Sequence, residues 1–205
     1  MKKPAAVLGA GGHARVVASI LEARRMPVLG FFDDSFDPKA GEKILGRPVL
    51  GRFRDILKFK GKIGGVYLAV GDNASRKKFF NFFRERGFSL PSITHPSAFV
   101  EKNARIGEGS VVCLGAIVGA GATVGKGCIV NSGASLDHES RLGDFSHLAP
   151  KSVVAGRTSI GESSFVGMNA AVADCLAIGA GVTIGAGSVV LRNVPDHKKV
   201  LGVWH

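Results

Sequence analysis

Val118-Gly119-Ala120-Gly121-Ala122-Thr123-Val124-Gly125-Lys126-Gly127-Cys128-Ile129-Val130 returns to an aliphatic residue at every sixth position. Counting in sixes from Val100 gives Val100, Ile106 and Val112 before this stretch, and the series runs on through Leu136, Leu142 and Leu148 to Ile184 and Val190. All sixteen positions are Val, Ile or Leu. Four residues after each, the side chain is Ala, Ser, Cys or Thr in thirteen of the sixteen hexads, the exceptions being Leu176, Val182 and Val194. Glycine is frequent one residue after the aliphatic, as at Gly107, Gly125 and Gly185. An α-helix would carry such a stripe around its cylinder, and a plain strand alternates with period two. A coil with regular corners satisfies the count: each hexad is a short strand plus a turn, and three hexads close a triangle of eighteen residues with the aliphatics inside. The small residue fills the corner, and the glycines are expected to supply turn conformations. Hexads 100–195 then form about five coils stacked roughly 4.8 Å apart, a parallel β-helix in which no coil buries its apolar face alone.

Outward from this repeat, the whole chain is 205 residues long, 45 % hydrophobic and 21 % charged, which excludes disorder and allows one large domain or two small ones. No apolar run approaches the roughly 18 residues of a membrane span, and Met1-Lys2-Lys3-Pro4 leads into an apolar strand rather than a signal peptide. A cytosolic protein with no membrane span is expected. Cys113, Cys128 and Cys175 are an odd number without metal-ligand spacing, so they read as small buried hydrophobes and no metal is expected. The formal net charge of +11 is lopsided: residues 1–99 hold 18 Lys and Arg against 8 Asp and Glu, and residues 100–205 hold 9 against 8. The basic residues are scattered in pairs such as Arg24-Arg25 and Lys77-Lys78 without aromatic interleaving, which reads as solvated helix surface and not as a nucleic-acid binder.

Ahead of the repeat, Ala5-Ala6-Val7-Leu8 reads as a buried strand, Gly9-Ala10-Gly11-Gly12-His13 as a glycine turn, and Ala14 to about Arg25 as an amphipathic helix. Such a turn lets backbone approach a ligand, and the following helix offers unpaired N–H groups to a phosphate. A second strand, Val28 to Phe32, ends in Asp33-Asp34, where a carboxylate can take ribose or sugar hydroxyls. Ala14 stands where the dinucleotide fingerprint has its third glycine, and a unit of about ninety residues is short for a full dinucleotide fold. A further strand, Gly65 to Val70, runs into Gly71-Asp72-Asn73 and a helix from about Ala74 to Arg86, and Leu90 to Thr94 reads as a last strand before the coil. A dehydrogenase built on this half lacks any evident catalytic domain.

Of six histidines, two fall inside the repeat: His138 is third in its hexad and His147 sixth in the next. Neither position points inward, so both rings are expected to reach an outer groove, as bases available at neutral pH. The period places Gly156 one coil on from His138 and Phe165 one coil on from His147. A glycine beneath a base leaves a backbone N–H approachable, which suits an oxyanion donor. A zinc carbonic anhydrase, which also occurs on such a coil, needs three converging histidines where only two are offered. A non-catalytic solenoid is the other class, and the appended glycine-loop unit argues against it. His95, His197 and His205 read as surface residues.

The register resembles the left-handed β-helix of hexapeptide acyltransferases, and the handedness comes from that resemblance. Nearly the whole chain is similar to the NeuD-like and PglD-like sugar acetyltransferases, through GAGGHARVV (Gly9 to Val17), FFDD (Phe31 to Asp34), VGDN (Val70 to Asn73), HPSA (His95 to Ala98) and NSGASLDHESRLGDFSH (Asn131 to His147). The resemblance implies an α/β Rossmann-like nucleotide-sugar-binding domain over residues 1–93 and an all-β left-handed parallel β-helix over residues 94–205. It implies His138 as general base, Glu139 as the residue that raises its basicity, and Gly156 N–H as oxyanion donor. It implies acetyl-CoA as co-substrate, contacted by His147, Met168 and Ala186, and a nucleotide sugar held by Gly11, Gly12, His13, Asp33, Asp34 and Gly71. A homotrimer with active sites between subunits is implied as well. The PglD-like block favours N-acetylation of a UDP-linked 4-amino sugar for bacterial glycan biosynthesis, with O-acetylation of a sialic acid as the alternative. Asp72 stands where a close relative has an amide, which leaves the nucleotide open.

Overall fold

A computed structural model describes residues 3–35, 37, 41 and 43–205. The chain divides into two compact units, Met1–Ile93 and Thr94–His205. In the first, β1 (Ala5–Leu8), β2 (Val28–Phe32), β4 (Arg47–Gly51) and β5 (Gly65–Leu68) form a parallel sheet, and β3 (Lys43–Ile44) adds an antiparallel edge to β4. The order is β3-β4-β2-β1-β5. Leu45 and Gly46 between β3 and β4 both have positive φ (46° and 75°), the geometry of a tight hairpin turn. Helix α1 (Gly12–Ala23) and helix α2 (Asn73–Glu85) follow β1 and β5, and a 3₁₀ helix, Phe53–Phe59, follows β4. Because the chain leaves β1 toward β2 on one side and later adds β5 on the other, the strand order reverses at β1. Open parallel sheets bind ligands at such a point, beyond the carboxyl ends of the strands.

Both helices begin earlier than the sequence suggests. Gly12 and His13 are already the first turn of α1, which makes the glycine loop and the helix N-terminus one feature. β5 stops at Leu68, and Ile93–Thr94 joins a sheet of the coil rather than the first unit's sheet.

The second unit is a triangular coil whose strands are two residues long. Sheet I runs through Val111–Val112, Ile129–Val130, His147–Leu148 and Phe165–Val166, sheet II through Phe99–Val100, Ile117–Val118, Ser135–Leu136 and Val153–Val154, and sheet III through Arg105–Ile106, Thr123–Val124, Arg141–Leu142 and Ser159–Ile160. Each pair joins residues eighteen apart, as in Ile129 with His147 and Leu142 with Ile160. The aliphatic series forms the core from Val112 to Val200. The small residue four positions on does more than fill space. Ser140, for example, donates its Oγ to Ala155 O (2.9 Å) and accepts from Thr158 N (3.1 Å), tying one coil to the next. Thr158 and Ser164 repeat the pattern.

The glycines following the aliphatics act differently from expectation. A β-carbon at Gly119 would lie 2.7 Å from His138 N, and one at Gly143 2.6 Å from Glu162 N. They permit close stacking of successive coils. The left-handed conformation belongs instead to the third residue after each aliphatic, from Gly109 to Gly187. Glycine occupies the outer corners of that row, whereas the seven from Glu139 to Cys175 carry side chains at φ 53–61°. Each such residue costs on the order of 1 kcal/mol.

The hexad register also ends differently. Ile184 pairs with Val200 and Val190 with Trp204, so the closing coil is shorter than eighteen residues, and Val194, an exception to the small-residue rule, is buried and bridges to Ile178. Cys113 and Cys128 are buried as expected, burial pushing the Cys113 thiol up to about 12, but Cys175 sits at an exposed corner.

Candidate active site

His138 lies at the corner between sheets II and III, in the turn that joins Leu136 to Arg141. Its carbonyl accepts from Arg157 N (2.9 Å), and its N–H donates to Asp137 Oδ1 (2.7 Å), so the backbone is pinned from both sides. The side chain is 48 % exposed and its Nδ1 stands 3.6 Å from Glu139 Oε2. That leaves Nε2 as the ring nitrogen free to exchange a proton with a substrate. The ring lies directly over Gly156, where a β-carbon would collide with Cε1 and Nε2. Glu139 occupies one of the strained left-handed corners, and Arg157, one coil on, occupies the next. The Arg157 guanidinium is drawn to the Cys175 thiol and also feels the charges of Asp174 and Glu139, and it approaches Asp174 Oδ2 to 3.7 Å.

His147 departs from expectation. It is an outward residue of sheet I, yet only 8 % exposed. Phe165 packs edge-on against the ring (5.2 Å, 89°), and Asn131 Nδ2 lies 3.1 Å from Nε2. Asn131 Oδ1 already accepts from Ser132 N (2.8 Å), so its amide faces the ring as a donor. That assignment makes His147 Nε2 the acceptor and places the ring proton on Nδ1.

Met168 and Ala186 are exposed and eighteen residues apart, stacked at the corner between sheets I and II. This is a different corner from that of His138 and Gly156. Between the two corners runs the outer side of sheet II, which presents Phe99, Ile117, Val153, Val189 and Val203 to solvent. Sheet III instead presents Arg105, Thr123, Arg141 and Ser159.

In the first unit, the loops after β1 and β5 meet at the reversal of strand order. A β-carbon at Gly9 would lie 2.6 Å from Ala69 O, while Gly11, Gly12 and Gly71 have open space above them. Helix α1 follows its N-cap Gly11 with no side-chain cap and no acidic residue in its first turn, so the N–H groups of Gly12 and His13 remain available to an anion. Helix α2 is capped by Asp72, which accepts from Ser75 N at 2.8 Å. Asp33 does not stand idle at the end of β2: it accepts from Ala10 N (2.7 Å), Ser35 N (2.9 Å) and Ser35 Oγ (2.6 Å). Burial opposes its charge, but these hydrogen bonds from Ser35 and Ala10 outweigh that and hold its pKa below the usual value. Asp34 is exposed. His13 is half-buried with its Nε2 shielded from water and without a hydrogen bond among the described residues. Burial, reinforced by the charge of Arg76, lowers its pKa to about 4, so the ring is neutral at pH 7.

The family model of the PglD N-terminal domain matches residues 5–83, and that of the bacterial transferase hexapeptide (six repeats) matches residues 157–192. The acetyltransferase domain of PglB from Neisseria gonorrhoeae FA1090, solved in complex with acetyl coenzyme A, is 36 % identical with a TM-score of 0.92, over 97 % of this chain and 96 % of that one. The chain belongs to the PglD-type hexapeptide acetyltransferases. Another member, PerB from Caulobacter crescentus in complex with CoA and GDP-perosamine, is 37 % identical with a TM-score of 0.90, over 96 % of this chain and 92 % of that one. The UDP-N-acetylbacillosamine N-acetyltransferase of Bacillus subtilis (strain 168) is 35 % identical over 115 residues, 54 % of this chain, and the match spans about half of that relative's length.

In this PglD-type chain, Asn131, Arg157 and Arg76 interact with His147, Glu139 and His13 without standing out in the sequence. Asn131 and Arg157 become visible once the eighteen-residue step is applied, since they lie one coil from Ala149 and Glu139 respectively, beside the two histidines. Arg76 carries no such signal, because nothing in a helical pattern distinguishes a buried arginine from an exposed one.

Proposed function

We propose that this protein is a cytosolic acetyl-CoA-dependent N-acetyltransferase that acylates the amine of a nucleotide-linked amino sugar. The observation that carries the reading is the His138 ring, backed by Glu139 at Nδ1, lying on Gly156 at an exposed corner. The division of labour follows the two units: the first holds the nucleotide sugar through Gly11, Gly12, His13, Gly71 and the aspartates Asp33 and Asp34, and the second supplies the acyl-transfer chemistry. Asp33 contributes by fixing the glycine loop through Ala10 as well as by facing the sugar.

His138 Nε2 takes the proton that the amine loses as its nitrogen attacks the thioester carbonyl. Glu139 steadies the imidazolium that results, and Gly156 N–H donates to the carbonyl oxygen as it gains negative charge. His138 then returns its proton to the departing CoA sulfur, which leaves amide and thiol as products and the histidine neutral for the next cycle. A neutral amine is already nucleophilic, so one histidine suffices. A sugar hydroxyl needs base assistance throughout attack.

His147, Met168 and Ala186 are assigned to acetyl-CoA, with the exposed apolar stack of Met168 and Ala186 suited to its pantetheine arm. Since these lie at another corner from His138, a homotrimer packed through the apolar outer side of sheet II completes each site from neighbouring copies and excludes water from the thioester. The PglB and PerB complexes with acetyl coenzyme A or CoA support acetyl-CoA as the co-substrate.

The test is CoA-thiol release with acetyl-CoA and a panel of UDP-linked and GDP-linked 4-amino sugars, their 4-hydroxy counterparts, and free and CMP-linked sialic acid. Turnover is expected with an amino acceptor. Turnover confined to hydroxyl acceptors would overturn the amine assignment.

A further inference from the structure

Arg76 is wholly buried. Placing a guanidinium out of water costs several kcal/mol unless its donors are matched, and an apolar side chain of similar size would fill the same space more cheaply. Its position is adverse in a second way. Arg76 is in the first turn of α2, where the helix dipole presents its positive end and favours acidic side chains. From there the guanidinium folds back beneath its own loop. Nη1 donates to Val70 O (3.1 Å) and Gly71 O (2.8 Å), and Nη2 donates to Asn73 Oδ1 (2.7 Å). The two carbonyls belong to the connection between β5 and α2, and Asn73 is the first residue of α2. The same charge reaches across the reversal of strand order to His13, in the first turn of α1.

Two independent features therefore converge where the two loops meet. One is a buried cation that hydrogen-bonds the backbone of one loop. The other is a ring nitrogen in the second loop that is buried without a partner among the described residues. An orphaned buried polar atom destabilises the fold, and such a cost persists in folded proteins where a ligand or a rearrangement offsets it.

We infer that Arg76 is a positioning residue for the nucleotide: it holds the Val70 to Asn73 loop in the shape that presents Gly71 beside the open N-terminus of α1, and it adds its charge to a crevice built for a nucleoside diphosphate. Arg76 itself touches carbonyls and an amide, so its influence on the ligand passes through the loop and through the field. This inference rests on the reading of the first unit as the nucleotide-sugar site.

The test uses the full chain with Arg76→Lys, Arg76→Gln and Asn73→Ala. Calorimetric titration with UDP and with GDP measures the crevice directly, and steady-state kinetics separates KM for the nucleotide sugar from kcat and from KM for acetyl-CoA. Losing charge-assisted hydrogen bonds in the arginine variants is expected to weaken nucleotide binding by about tenfold or more, with KM for acetyl-CoA unchanged. Asn73→Ala removes one acceptor at the helix edge and leaves the charge in place, so it is expected to fold and to weaken binding by a smaller factor. It decides the matter should both arginine variants fail to fold. The ring signals of His13, followed by NMR, are expected to titrate at higher pH in Arg76→Gln and near the wild-type position in Arg76→Lys. A purely structural arginine would lower the melting temperature and leave the nucleotide affinity of the folded protein unaltered, and that result would overturn the inference. Wild-type protein that binds neither nucleotide would instead overturn the reading of the first unit, a distinguishable failure.

Discussion

The imidazole of His138 lies against Gly156, one coil further along, so closely that no β-carbon fits between them. Gly156 has no positive φ, so alanine there strains no backbone dihedral and acts only on the ring above it. Gly156→Ala is therefore expected to displace His138 while the coil stays folded. Turnover should drop toward that of His138→Ala, roughly 10²–10⁴-fold below wild type, with the melting temperature of His138→Ala unchanged. Stopped assays of thiol release measure the first quantity and thermal unfolding the second. Wild-type rates in His138→Ala would place the base elsewhere.

Asn131 fixes the orientation of His147 through Nε2. Asn131→Ala removes the hydrogen bond at Nε2, and the loss is expected to raise KM for acetyl-CoA by about fivefold. His147→Ala should raise it further, in both cases with a smaller effect on kcat. Kinetics at saturating nucleotide sugar and varied acetyl-CoA check the split. A fall in kcat alone would assign His147 to the chemical step.

The outer side of sheet II places Ile117 and Val153 on either side of Ser135, two coils apart. Both are exposed in the single chain. Val153→Glu puts a charge in the middle of this apolar stripe and disturbs nothing in the core. It is expected to convert a trimer into monomers in sedimentation velocity and to abolish most of the activity, because the His138 corner and the Met168 corner then no longer meet. A Val153→Glu trimer with normal turnover would move the interface to another face.

His13 makes folding pH-dependent in a defined window. Its pKa is about 4 in the folded protein against the usual 6.5, so the unfolded chain takes up a proton first as pH falls. The stability that the neutral ring contributes is complete above pH 6.5 and is lost as pH falls toward 4, on the order of 3 kcal/mol in all. Asp33, whose pKa is lowered, acts at more acid pH: its contribution is present above its unfolded value of 3.8 and disappears below that. Thermal melts between pH 7 and pH 4 are expected to fall more steeply for wild type than for His13→Gln. Parallel curves would show that the ring is solvated.

Much of this molecule is legible in one dimension. The six-residue step alone leads to inward aliphatics, to an eighteen-residue coil and to the neighbours of His138 and His147, because each coil must stack its apolar residues on those of the coil before. The strand, glycine loop and helix at the start are likewise written in local composition. What the period does not encode is how a side chain leaves the coil and what closes over it. His147 and Cys175 show this, since both occupy outward positions, yet the first is covered by Asn131 and Phe165 and the second is open.

Sequence by itself determined the repeat, its register from Val100 to Val190 and the order of the elements before it, since all three follow from the spacing of apolar and small residues along the chain. Only the tertiary structure decided that the glycines after the aliphatics serve close stacking, that the strain of left-handed corners falls on Glu139 and its successors, and that Arg76 is buried. Those facts depend on distances between atoms that are far apart in sequence. A β-carbon that meets the next coil, or a guanidinium that turns back under its own loop, leaves no trace in the pattern of residues that carry them.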